Sequence, residues 1–170
     1  MALRAFYRLT AMSSHETDRA LVVTGFATPQ DACADEENRE LVVNVIYTTE
    51  KRTLEALKTA AQLASELDAR MNLIVAQPVP IALPIDRPHI NADFLVRRLK
   101  ALVRRASQDD LETSVNLYFC RDLQRTLTNI LPAKSVVVMG DRNRWWRSEF
   151  WRIRKTLEAQ GHRVLMVSGR

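Results

Sequence analysis

Cysteine and histidine are scarce in this chain. There are two cysteines, Cys33 and Cys120, and three scattered histidines, His15, His89 and His162. Neither cysteine belongs to a C-x-x-C pair, so neither a zinc site nor a disulfide framework is expected. Both read as reduced residues of a cytoplasmic protein, and Cys120, at the end of a strand, reads as a small core residue. Long apolar runs are missing too, and nothing approaches the ~18 residues of a membrane span. The opening MALRAFYRLTAMSS is broken by Arg4 and Arg8 and makes a poor secretory signal, while Met12 offers a second start. Glycine is sparse at four residues, and no Walker loop occurs, which excludes a P-loop NTPase. Ser148 and Ser168 lack a G-x-S-x-G context, and no H-E-x-x-H motif is present. Catalysis is therefore not expected. There is no internal repeat and no low-complexity tract.

What is present fits one globular domain. The length is 170 residues, room for a single ordinary domain. Hydrophobic residues make up 46% and charged residues 26%, which argues against intrinsic disorder. The net charge is +5, unevenly placed. Residues 1–40 carry four arginines and seven acids, a net of −3, and residues 41–170 carry 21 bases and 13 acids, a net of +8. The expected organisation is an N-terminal extension over 1–40, partly flexible, followed by an α/β domain over 41–170.

In the extension, Leu21–Phe26 reads as a short strand and Thr28–Glu40 as a polar surface segment. From Leu41 the pattern is regular. Leu41–Tyr47 (LVVNVIY) is a β-branched run suited to a strand buried on both faces. A helix follows over about Lys51–Ala69, with Leu54, Leu57, Ala61, Ala64 and Leu67 as its apolar stripe. Met71–Ala76 is a second strand. Four of the six prolines (Pro78, Pro80, Pro84, Pro88) make the next segment an extended loop. Asn91 caps a helix over Ala92–Ser107 whose inward residues are Leu95, Leu99, Leu102 and Ala106. Thr113–Cys120 is a third strand, Asp122 caps a short helix ended by Pro132, and Ser135–Met139 is a fourth strand. A last helix over Trp145–Gln160 carries Trp146, Phe150, Ile153 and Leu157 on one stripe. Gly161 stops it, and Arg163–Ser168 is the fifth strand. Strict β-α alternation predicts a three-layer α/β sandwich around a five-stranded parallel sheet. Its default ligand site is the crevice at the strands' C-terminal ends. That rim is Tyr47–Glu50, Ala76–Pro80 and Gly140–Arg144.

The arrangement resembles the universal stress protein family, an α/β nucleotide-binding fold of the adenine nucleotide alpha hydrolase-like type. The resemblance covers residues 41–168. It is carried by AAQLASELDARMNLIVA after the first strand, SVVVMG at the fourth strand and VLMV at the last, each similar to a family block at the same position. The resemblance implies a cytoplasmic, non-catalytic binding or signalling protein in stress response. It also implies a homodimer formed through the last strand, with Val164 and Met166 at the interface. ATP or AMP is the implied ligand, but the residues fix no cofactor. ATP-binding members have an Asp at the end of the first strand, and G-x-x-G followed nine residues later by G-S/T. Here Gly140 supplies the first glycine, Asn143 stands at the second, and Ile153 and Arg154 fall near the third and its hydroxyl partner. Tyr47–Thr48 replaces the aspartate. Ile153 does not tolerate the left-handed backbone that glycine allows. The usual triphosphate cradle is thus largely lost.

Residues 141–155 (DRNRWWRSEFWRIRK) hold all three tryptophans and six basic residues. Three readings stay open. Arginine at a helix N-terminus substitutes for the glycine cradle and binds an anion. Alternatively, Trp145 and Trp151 anchor the chain to an anionic membrane surface or a protein partner, as in a regulatory module of a transporter or sensor system. The plainest reading is core tryptophan beside a solvated arginine face. The basic residues Arg97, Arg98, Arg104 and Arg105 come with no nucleic-acid-binding motif, which argues against a nucleic acid partner. The candidate ligand residues are Thr48, Thr49, Ala76, Gln77, Gly140, Arg142, Asn143 and Arg144. No metal site is expected.

Overall fold

A computed structural model describes residues 9–12, 20–25, 41–85, 91–106, 111–140 and 147–168. The strands are β1 (Leu9–Met12), β2 (Ala20–Gly25), β3 (Val42–Ile46), β4 (Arg70–Pro78), β5 (Thr113–Cys120), β6 (Val136–Gly140) and β7 (Arg163–Val167). The helices are α1 (Glu50–Glu66), α2 (Ala92–Ala106), α3 (Leu123–Ile130) and α4 (Arg147–Ala159). One sheet has the order β1-β2-β5-β4-β3-β6-β7. The five strands from β3 onward are mutually parallel, as their alternation with helices predicts.

The period of the side chains divides the sheet into two faces. Val43, Val45, Met71, Leu73, Val115 and Leu117 pack under α1 and α2. Ile46, Ile74, Val137 and Met139 pack under α3 and α4 with Leu127, Phe150, Ile153 and Leu157. The helical stripes differ in part from the expected ones. On α1 the buried residues are Thr53, Ala56, Leu57, Ala60 and Ala64, and Leu67 is exposed. Small residues let α1 lie close to the sheet, so Ala56 and Ala60 join Leu57 and Ala64 at the centre of the face, while Leu54 and Ala61 are only partly buried against it. On α2, Val96 and Val103 join Leu99 and Leu102 in the core. On α4, Phe150, Ile153 and Leu157 are buried as expected. Trp146 lies outside the described residues.

Three local stops fall where the sequence places them. The Phe94 N–H donates to Asn91 Oδ1 at 3.0 Å, and the Arg125 N–H to Asp122 Oδ1 at 2.9 Å. Gly161 has φ +86°, and the His162 N–H returns to the Leu157 carbonyl at 3.0 Å, closing α4.

Two features go beyond the sequence reading. First, residues before 41 add two antiparallel strands to the same sheet. β2 pairs along β5, from Leu21 opposite Phe119 to Gly25 opposite Val115, and β1 pairs with β2. They cover a β5 edge that would otherwise be open. Second, a polar row crosses the parallel sheet on the α3/α4 face. Asn72 Nδ2 donates to Asn44 Oδ1 at 2.9 Å, while Asn72 Oδ1 accepts from Asn116 at 2.7 Å and Ser114 at 3.0 Å. Asn44 is only 1% exposed. A register slip would leave these amides unpaired, so the row pins β3, β4 and β5 together.

At the opposite end of the sheet from the strand C-termini, buried His162 accepts from Ser135. Nδ1 lies 3.3 Å from the Ser135 backbone nitrogen and 2.9 Å from its Oγ. The N–H contact makes Nδ1 the acceptor, hence the neutral ring. Burial holds the His162 pKa below its ordinary value near 6.5. The unfolded chain then binds this proton more readily than the folded one, so stability is fully present above pH 6.5. It should fall as the pH drops below that value and level off below the histidine's own lowered pKa. Thermal melts from pH 8 to pH 5 check this, and a His162→Gln variant should lose this part of the pH dependence. An unchanged slope in the variant would contradict it.

Candidate functional site

Strand order reverses between β3 and β6, since β3 leads on to β4 and β6 to β7 on the other side. A crevice at their C-terminal ends is the place such sheets offer a ligand. Its described walls are Tyr47–Arg52 after β3, Ala76–Val79 at the end of β4, and Gly140 at the end of β6.

Each wall has a physical cause. After β3 the Tyr47 N–H still pairs with the Ile74 carbonyl at 2.9 Å, so the chain leaves the sheet only at Thr48. The Thr48 N–H donates to Thr53 Oγ1 at 3.0 Å, which folds the turn back onto the first turn of α1. Thr48 is 8% exposed, and its own hydroxyl, Oγ1, has no hydrogen-bond partner among the described residues. Leaving a buried hydroxyl unpaired costs about 1–3 kcal/mol. Thr49 is the N-cap of α1 by backbone geometry but makes no side-chain capping bond.

Gly140 is required by packing. A Cβ there would lie 2.6 Å from the Arg52 carbonyl oxygen and 2.7 Å from the Arg52 Cβ. The glycine therefore admits the backbone of α1, and its missing side chain leaves no open cradle on that side. Gly140→Ala should push α1 from β6 and cost about 1–3 kcal/mol, read as a lower urea midpoint. An unchanged midpoint would show that α1 does not press on this strand.

The β4 wall rests on a residue that sequence reasoning did not single out. Arg121, just past β5, donates to the carbonyls of Val79 at 2.9 Å and Leu83 at 2.8 Å, and to that of Pro80. Prolines remove N–H donors from this loop, so its carbonyls turn to a side chain. A basic residue placed directly after a strand and opposite a proline-rich loop was the available signal. Glu50 lies on the expected rim, but its partners were not foreseen. Its carboxylate meets Arg98 Nη2 at 2.5 Å and Arg105 Nη1 at 3.7 Å across from α2. The bond to Glu50 raises the Arg98 pKa, while burial and nearby Arg104 lower that of Lys100.

Comparison with solved structures bears on the fold. A universal stress protein from Archaeoglobus fulgidus aligns with a TM-score of 0.53 at 13% identity, over 74% of this chain and 92% of that one. This chain has the universal stress protein fold. Two further structures of that fold align less well. One is a universal stress protein family member from Burkholderia pseudomallei, with a TM-score of 0.47, 20% identity, and 74% and 94% of the two chains covered. The other is the Archaeoglobus fulgidus protein in complex with dAMP, with a TM-score of 0.49, 12% identity, and 75% and 96% covered. No family model matches the chain, and no curated protein does.

Within the universal stress protein fold, Thr48, Thr49, Ala76, Gln77 and Gly140 of the sequence-derived set lie on the strand-end rim. Thr48 is the buried one with an unmet polar group. Among the described residues Gln77 reaches only the Pro78 carbonyl, at 3.5 Å, and Ala76 packs on the α3/α4 core. Arg142, Asn143, Arg144 and Trp145 lie outside the described residues. On α4, Trp151 is 53% exposed, with Lys155 Nζ 4.1 Å from its ring centroid. On β7, Leu165 is 44% exposed, whereas Val164 and Met166 are half-buried against the α3/α4 core. Among the described residues no group of three or more His, Cys, Asp or Glu could hold a metal ion. No described helix is long and apolar enough to cross a membrane.

Proposed function

We propose that this chain is a non-catalytic, universal-stress-protein-like binding and signalling protein of the cytoplasm. Its ligand is a nucleotide or another phosphate-bearing anion, taken at the β3/β6 crevice in a manner unlike the family's glycine cradle. The observation that carries this is Thr48: a buried hydroxyl without a partner among the described residues, at the end of the strand where α/β sheets receive ligands. Residues 41–170 form the binding unit, and residues 1–40 are an extension to it, of which β2 lies along the β5 edge. The β7 edge, unpaired among the described residues and with Leu165 exposed, suits pairing with a second copy.

Thermal shift with ATP, AMP and pyrophosphate tests the reading. Ligand at 100 times its Kd adds about 2.7 kcal/mol to the stability of the folded state, several degrees for a chain of this size. ATP should be recovered unhydrolysed, and light scattering should give a dimer. No shift at millimolar ligand would remove the nucleotide reading, and a monomer at high concentration would remove the β7 pairing.

A second reading is favoured by one observation. Trp151 is exposed, on a helix face with exposed Arg152 and Lys155. An exposed indole among cations suits an anionic lipid surface, as in a regulatory module of a transporter or sensor system. Flotation with anionic vesicles should then recover the protein, and Trp151→Ala should release it. Protein that stays below neutral and anionic vesicles alike would end this reading.

A further inference from the structure

Helix α2 packs on the sheet through Val96, Leu99, Leu102 and Val103, and its opposite side is exposed. That side carries two pairs of arginines, Arg97 with Arg104 and Arg98 with Arg105. Seven residues are close to two full turns, so each pair lies along one line of the helix, about 10 Å apart at the backbone. The two pairs differ in what they hold. Arg98 and Arg105 close on one carboxylate, that of Glu50, with Arg98 Nη2 2.5 Å from Oε2 and Arg105 Nη1 3.7 Å from Oε1. A pair at this spacing on α2 thus takes a carboxylate between its guanidinium groups. Arg97 and Arg104 repeat the spacing one residue earlier, about 100° round the helix. Arg97 Nε donates to the Asp93 carbonyl at 3.3 Å. Among the described residues neither Arg97 nor Arg104 meets a carboxylate.

Two neighbours on the same side add to this. Ala101 lies between Arg97 and Arg104, is exposed, and leaves room for a group to enter between them. Phe94, one turn before Arg97, is 60% exposed. Its backbone is fixed by the bond from its N–H to Asn91 Oδ1 at 3.0 Å, so the aromatic ring stands on an ordered first turn. These features select the chemistry of an occupant. Guanidinium groups match the two oxygens of a carboxylate, and the Phe94 ring gains from an apolar side chain laid against it. A protein segment with an acid beside an apolar residue supplies both. A nucleic acid backbone would leave Phe94 uncovered. A bilayer surface takes up a helix by its apolar face, and the apolar face of α2 is buried in the core.

We propose that the outward side of α2 (Phe94, Arg97, Ala101 and Arg104) is a docking surface for an acidic segment of a protein partner. A carboxylate of the partner enters between Arg97 and Arg104, as Glu50 does between Arg98 and Arg105, and an apolar side chain of the partner covers Phe94. This surface lies on the other face of the sheet from Trp151 and α4. It does not depend on a ligand at the β3/β6 crevice.

The test is fluorescence anisotropy of the full chain with a labelled peptide of glutamate and leucine, and with its counterpart in which every glutamate is glutamine. The glutamate peptide should bind and the glutamine peptide should not. Arg97→Ala with Arg104→Ala should weaken binding by about 10-fold, the scale of a hydrogen bond to a charged group. Phe94→Ala should weaken it several-fold. Melting temperatures should stay unchanged, because these side chains are exposed. Lys58→Gln with Lys134→Gln removes the same charge elsewhere and should leave binding as it is. An equal loss in that control would reduce the effect to net charge and overturn the proposal. So would a glutamate peptide that fails to bind at millimolar concentration, or one that binds the Arg97/Arg104 variant as tightly as wild type. Duplex DNA or anionic vesicles that bind through Arg97 and Arg104 where the peptide does not would give the surface to that partner and overturn the proposal as well.

Discussion

The close approach of α1 to β6 is the constraint on which the rest of this end of the molecule depends. A glycine at 140 lets the Arg52 backbone come where a Cβ would stand at 2.6 Å. The alanine face of α1, with Ala56, Ala60 and Ala64 buried, makes the same approach possible along the helix. Because α1 lies so near the sheet, the turn after β3 must be short. Thr48 folds against Thr53, and its hydroxyl is closed off from water without gaining a partner among the described residues. The same placement brings Glu50 within reach of Arg98 and Arg105 on α2. Tight packing and an unmet polar group are thus two results of one geometry.

The chain has the universal stress protein fold. At the strand C-termini, Gly140 after β6 is used for helix packing, and a threonine-containing turn follows β3. The polar row Asn44–Asn72–Asn116 lies lower on the opposite face and serves register.

Much of the fold was legible because period and punctuation agree. β3 to β7 follow from β-branched runs separated by helical stripes, and Asn91, Asp122 and Gly161 mark boundaries by their own chemistry. The rotation of α1 was not legible, since leucine and alanine stripes compete and only the distance to the sheet decides between them. β1 was missed because Leu9–Met12 (LTAM) is four residues long and gives no period. β2 was read as a strand, but its antiparallel pairing depends on the β5 edge, far along the chain. At the site, Thr48 was placed on the rim from strand position alone. Its unmet hydroxyl, the Arg121 bonds to the proline loop and the diversion of Glu50 are long-range contacts that no local pattern encodes.

The central claim is the proposal that a phosphate-bearing ligand is taken at the β3/β6 crevice. The most direct measurement is an amide NMR titration of the full chain with AMP. The account predicts that the largest shifts fall on the crevice walls, Thr48–Arg52, Ala76–Val79 and Gly140. Shifts that spare all three walls, or no shifts at millimolar AMP, would contradict it.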